Sequence, residues 1–81
     1  MHDDWDDLRY FLAVTRHGSI RATARALGVN HATVSRRLDA LESALGSRLL
    51  ERGSRGYTPT PEGEVLRWQL SGLRMLSKKR I

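Results

Sequence analysis

With 81 residues, a net charge of +5 and no cysteine, the chain has the length of one small domain whose core must be built by packing of secondary structure alone. These numbers leave no room for a second, ligand-sensing domain and no thiolate for a disulfide framework or a zinc site. No apolar run approaches the roughly 20 residues that span a bilayer, and the N-terminus is acidic where a signal peptide is basic, so a cytoplasmic protein is expected.

The charge is unevenly spread. Asp3, Asp4, Asp6 and Asp7 crowd the N-terminus, whereas Leu8 to Leu38 carries no acid and accumulates Arg9, Arg16, Arg21, Arg25, Arg36 and Arg37. A stretch with one sign of charge attracts a polyanion, although charge by itself is also how ordinary helix faces stay solvated.

Asp4 is a candidate cap for a first helix, with Asp6 and Asp7 in its first turn at the positive end of the dipole. Leu8, Phe11, Leu12 and Thr15 recur at helical spacing, and Gly18 ends the run, so this helix is expected from about Trp5 to Arg16. Ser19 then caps a short second helix on which Ile20, Ala24 and Leu27 form a narrow apolar stripe, closed by Gly28. Asn30 caps a third helix, in which Val34, Leu38, Leu41 and Leu45 return to the core before Gly46 stops it.

From Arg48 to Thr60 the glycines, serine and proline lie between Leu49-Leu50 and Tyr57-Thr58, which predicts a short hairpin with a mobile tip. Thr60 caps a fourth helix, with Pro61 at its first position and Glu62 and Glu64 in its first turn. Val65, Leu66, Leu70, Leu73 and Leu76 make one broad side of it apolar. The fold class expected is therefore mainly α, a winged helix-turn-helix of three core helices plus a short β-hairpin wing, over residues 1–60, followed by a linker helix over 61–81.

The corner between the second and third helices carries the functional reading. Ala24 is small where two helices cross closely, and Gly28 supplies the backbone freedom of a sharp turn, as a helix-turn-helix requires. An ordinary helical hairpin meets the same demands, so the corner gains weight only from the surface of the third helix. Projected at 100° per residue, that helix buries its leucines and presents Ala32, Thr33, Ser35, Arg36 and Asp39 on the opposite side.

A small, hydroxylic and basic surface suits a major groove. Ala32 and Thr33 permit close approach to a thymine methyl, Ser35 can bond a base or a phosphate, and Arg36 can reach guanine. His31 in the first turn can donate to a base edge or a phosphate. Arg37 lies nearer the core boundary, where a phosphate or an intramolecular carboxylate such as Asp39 or Glu51 is as plausible a partner as a base. Arg21 and Arg25 repel each other at i, i+4 unless an anion lies between them. Arg52 and Arg55 flank the hairpin tip and fit the sugar-phosphate edge or a minor groove, Arg52 having an inward carboxylate as its other option.

Other classes are less well served. His2, His17 and His31 lack metal-ligand spacing, and neither a cysteine nucleophile nor a phosphate-cradling glycine loop is present, so no enzyme, metal or cofactor is expected. A protein-binding module working through the apolar breadth of the fourth helix, which includes Trp68 and Met75, is the remaining rival; the simplest partner is a second copy.

The succession LRYFLAV, GSIRATARALGV and TVSRRLDALESALGSRLLERGSRGYTPTPEG resembles the N-terminal domain of LysR-type transcriptional regulators across residues 8 to 64. The resemblance implies a winged helix-turn-helix that binds double-stranded promoter or operator DNA at interrupted palindromes. It also implies homodimers or tetramers formed through the linker helix, here by Leu66, Leu70, Leu73 and Leu76, and a C-terminal effector-binding domain that this sequence lacks. The family's contacting positions fall on Asn30, His31, Ala32, Thr33, Ser35 and Arg36, and its wing arginine on Arg55. Many members carry Gln-Pro where this chain has His31-Ala32, so the bases recognised are expected to differ. The tail Ser77 to Ile81 ends where a linker helix leads onward, and the chain is expected to be a fragment or a truncated product.

Overall fold

A computed structural model describes the backbone of residues 4–79 and the side chains of residues 5–71. The elements run α1 (Asp4–His17), α2 (Ile20–Leu27), α3 (His31–Leu45), β1 (Leu50–Gly53), β2 (Gly56–Pro59) and α4 (Pro61–Lys79). The helix begins at Asp4 itself, so this residue is the first of α1 and not its cap.

Local signals fix the other starts. Ser19 accepts the Ala22 N–H at 3.0 Å and caps α2. Asn30 Oδ1 accepts the Thr33 N–H at 2.9 Å and caps α3. The Thr60 hydroxyl accepts the Gly63 N–H at 3.0 Å while donating to the Arg48 carbonyl at 2.6 Å, which caps α4 and ties it to the start of the hairpin. Between α2 and α3, Gly28 takes φ +71° and the Val29 N–H reaches the Ala24 carbonyl at 3.0 Å. A left-handed residue followed by a reversal of direction lets two helices meet at an angle.

Helices α1, α2 and α3 pack on one another around Phe11, Val14, Ala24, Val34, Leu38 and Leu41, joined by Leu49 and Leu50 of the hairpin and Leu70 of α4. The strands pair antiparallel in the register Leu50↔Pro59, Glu51↔Thr58, Arg52↔Tyr57 and Gly53↔Gly56, leaving Ser54 and Arg55 as the tip. The hairpin is docked through its backbone: the Tyr57 N–H donates to the Gly18 carbonyl at 2.8 Å.

Several apolar positions differ from the sequence expectation. Leu45, the last residue of α3, is 52% exposed, because the chain turns at Gly46 beyond the edge of the core. Leu27 at the end of α2 is likewise exposed. In their place the core takes Val14 and the Thr23 side chain, whose hydroxyl donates to the Ser19 carbonyl at 2.7 Å and so enters the interior satisfied.

The row of leucines expected to face a second copy divides. Leu70 is 7% exposed and belongs to the core, and Leu66 packs against it, so both cover this chain's own interior. Among the described residues of α4, the apolar side chains presented to solvent are Val65 and Trp68, at 57% and 77% exposure. The side chains of Leu73, Met75 and Leu76 lie outside the described residues.

Candidate nucleic-acid interface

The third helix meets the core along Val34, Leu38 and Leu41, which are buried and recur at spacings of four and three. That stripe leaves the opposite side of its first turns outward. His31, Ala32 and Arg36 are exposed, and Thr33 and Ser35 are half-buried at the margins. Among the described residues no acidic side chain occupies the first turn of α3, so the positive end of its dipole faces solvent uncompensated.

The cap constrains two of the expected contact residues. Asn30 Oδ1 takes both the backbone N–H of Thr33 and, at 3.1 Å, its hydroxyl. The Thr33 hydroxyl hydrogen is therefore engaged, which leaves its methyl and its oxygen as an acceptor to meet a ligand, and leaves Asn30 its amide N–H groups as donors.

Basic side chains stand around this helix. Arg21 and Arg25 are exposed on α2, and Arg52 and Arg55 are exposed on the hairpin, Arg55 at its tip. None of these pairs with a carboxylate among the described residues, whereas Arg9 and Arg67 are held by Asp6 at 3.2 Å and Glu64 at 2.8 Å, each three residues away. Cations left without partners on α2, α3 and the hairpin suit a polyanionic ligand, since exposed ion pairs would otherwise form at little cost.

Arg37 differs from its neighbour Arg36. Its guanidinium lies 3.5 Å from Oδ1 of Asp7 and stands over the Tyr10 ring, 5.9 Å from the centroid. The intramolecular carboxylate anticipated for Arg37 thus exists, but it is Asp7 of α1 and not Asp39 or Glu51. Spacing along α3 could not reveal it, because the partner arrives through tertiary packing.

Glu42 is a structural residue that sequence reasoning does not single out. Its Oε2 accepts the N–H groups of Leu49 at 2.7 Å and Leu50 at 3.2 Å, and lies 3.8 Å from Arg48 Nε. One carboxylate at the end of α3 therefore holds the first residues of the hairpin and sets where the wing begins. The only hint in the sequence is an acid on the core-flanking side of a helix otherwise lined by leucines.

Among the described residues no group of His, Cys, Asp or Glu is arranged to hold a metal ion, and no helix is long and apolar enough to cross a membrane. Residues 5–64 match the family described as "Bacterial regulatory helix-turn-helix protein, lysR family". A probable hydrogen peroxide-inducible genes activator of Mycobacterium xenopi is 49% identical over 59 residues, which cover 73% of this chain and 31% of that protein. The chain spans less than a third of the length of the curated relatives it matches.

Two solved structures determined as DNA complexes have the same fold. The CbnR DNA-binding domain on DNA superposes with a TM-score of 0.80 at 33% identity, covering 98% of this chain and 88% of that one. The BenM DNA-binding domain on benA site 1 DNA gives 0.77 at 34% identity, covering 95% and 93%. The chain belongs to the lysR family of bacterial regulatory helix-turn-helix proteins, and its fold is the winged-helix DNA-binding domain of that family.

Proposed function

We propose that this chain binds double-stranded promoter or operator DNA sequence-specifically for transcriptional regulation, with the first turns of α3 in a major groove and the wing on the backbone or an adjacent minor groove. The observation that carries the reading is the exposed face His31, Ala32 and Arg36 at a capped helix start, flanked by exposed arginines on α2 and the hairpin. The CbnR and BenM domains, solved on DNA, support it.

In this reading Arg36 is the base reader, with guanine its best-matched partner through paired N7 and O6 acceptors. Ala32 and the Thr33 methyl lie against bases, and His31 and Ser35 meet a base edge or a phosphate. The Asn30 amide, Arg21, Arg25, Arg52 and Arg55 take phosphates and set the register. Residues 1–60 form the binding domain and 61–81 the linker helix, whose first turns also close the core.

A homodimer through α4 matches two copies of the domain to a palindrome, with Trp68 and Val65 the side chains offered to the partner. Those two exposed side chains equally support a second reading, a protein-interaction module acting through the C-terminal helix. Effector control belongs to a domain outside this sequence, and the place of action is the cytoplasm.

The test is fluorescence anisotropy of the chain on the duplex upstream of its own gene and on a shuffled duplex of equal length, over a salt series. Tighter binding to the native duplex, with log affinity falling linearly in log salt on both, is the expected result. No binding to either duplex at low salt leaves the protein-interaction reading standing alone.

A further inference from the structure

The tip of the wing lies one residue from a fixed point. Strands β1 and β2 have four residues each, and Ser54 and Arg55 join them. An isolated two-stranded hairpin is marginally stable in water, so the direction of its tip depends on what the rest of the domain holds. At the base of the hairpin Glu42 accepts the Leu49 and Leu50 N–H groups, and the Thr60 N–H donates to the Leu49 carbonyl at 3.0 Å. Near the tip the α1–α2 turn takes over.

Two observations define that seat. In an antiparallel pair every second residue turns its N–H away from the partner strand. Tyr57 does so, and donates to the Gly18 carbonyl at 2.8 Å. A β-carbon on Gly56 would overlap the oxygen of that same carbonyl, and Gly56 has φ +115°. Strand β2 therefore lies on the turn in a backbone contact that only glycine permits. The Tyr57 ring also packs against the core, but apolar packing is non-directional and lets the strand tilt about the ring. Gly18 precedes Ser19, the cap of α2, so the seat joins the hairpin to the helix start that carries the exposed Arg21.

We propose that Gly56 is a positioning residue for DNA binding: by seating β2 on the Gly18 carbonyl it sets the tilt of the wing, and Arg55 holds a phosphate only while that seat is closed. The proposal rests on the DNA-binding reading given above. A tip left to sway must be ordered at the moment of binding, and that cost falls on the contact the tip makes. Fixing the backbone of one residue costs more than one exposed ion pair returns. A tip already fixed at its neighbour has met that cost on folding, so its arginine contributes to affinity in full.

The experiment is a double-mutant cycle of wild type, Arg55→Ala, Gly56→Ala and the two combined, titrated by anisotropy on the native upstream duplex across a salt series. Arg55→Ala is expected to weaken binding about fivefold in the wild-type background and to lower the salt slope by about one. In the Gly56→Ala background the same substitution is expected to cost less than about 1.5-fold and to leave the slope unchanged. A smaller folded fraction in Gly56→Ala multiplies both affinities of that pair by one factor and cancels from their ratio. A purely structural role therefore produces no coupling.

Equal losses from Arg55→Ala in the two backgrounds mean that the wing reaches DNA without its seat, and overturn the proposal. If Gly56→Ala does not fold, amide hydrogen exchange of the wild type decides. Coupling is reciprocal, so a seat that favours binding is itself closed by binding, and exchange of the Tyr57 amide is expected to slow about fivefold on saturation with the duplex. An unchanged Tyr57 rate overturns the proposal. No effect of Arg55→Ala in the wild-type background removes the wing from the interface, and a chain that binds neither the native nor the shuffled duplex at low salt removes the DNA reading itself; each of these results takes the proposal with it.

Discussion

A β-carbon on Gly63 would overlap the carbonyl oxygen of Leu49. The first turn of α4 and the chain entering the hairpin therefore touch backbone to backbone, at the point where the Thr60 N–H also donates to that carbonyl at 3.0 Å. Alanine is normally the better helix residue by up to about 1 kcal/mol. Here overpacking dominates, and Gly63→Ala is expected to destabilise the domain by about 3 kcal/mol. Urea denaturation followed by circular dichroism decides the sign; a stabilised variant would show that α4 is free to move off the hairpin.

The carboxylate of Glu42, only partly exposed, holds the two N–H groups that open β1. Glu42→Ala strands both donors and is expected to cost about 2–4 kcal/mol. Glu42→Gln keeps an acceptor oxygen and is expected to cost about half as much. Equal midpoints for the two variants would mean that solvent satisfies those donors.

Asn30 caps α3 and borders the proposed DNA face, and one substitution separates the two roles. Aspartate caps as well as asparagine and suits the helix dipole, so Asn30→Asp is expected to leave thermal stability within about 0.5 kcal/mol of wild type. Its added negative charge is expected to weaken duplex binding about tenfold. Retained affinity would place the start of α3 away from the phosphates.

Arg36→Ala and Arg55→Ala are expected to differ in kind. Loss of a guanine reader costs about 1–3 kcal/mol on the preferred duplex and little on a shuffled one, whereas loss of a wing phosphate contact weakens both alike and lowers the salt slope by about one. Anisotropy titrations of the two variants side by side check the assignment, which fails if their behaviour is exchanged.

On α4 the prediction is a division between two neighbours. Leu70→Ala opens the core and is expected to cost about 2–5 kcal/mol. Trp68→Glu, on a side chain 77% exposed, is expected to leave the melting temperature nearly unchanged and to weaken self-association in sedimentation velocity. A Trp68→Glu chain that sediments as wild type does would remove this face from the proposed dimer.

What sequence discloses here is governed by the range of each interaction. Ser19, Asn30 and Thr60 are legible as caps because their acceptors serve N–H groups three residues on. The exposed face of α3 is legible for the same reason, since a helix converts spacing into direction. Asp7 is not: read from spacing it is a first-turn acid favouring the dipole, and only the packing of α1 on α3 buries it and supplies Arg37. Glu42 eludes spacing arguments because its partners lie beyond the end of its own helix. The division of α4 into Leu66 and Leu70 inside and Val65 and Trp68 outside depends on where the hairpin returns the chain, which periodicity alone does not fix.

The hairpin is moored to the α1–α2 turn by backbone atoms, the Tyr57 N–H and the Gly18 carbonyl, at a place where a side chain on Gly56 would collide with that same carbonyl. Mooring and contact are thereby carried by different parts of the polypeptide. Ser54 and Arg55 at the tip take no part in the attachment, so their side chains are open to change across generations without the wing coming loose. If the tip meets DNA as proposed, exchange of its residues retunes the grip of the domain on the duplex, while Gly56 at the mooring has no room for a side chain.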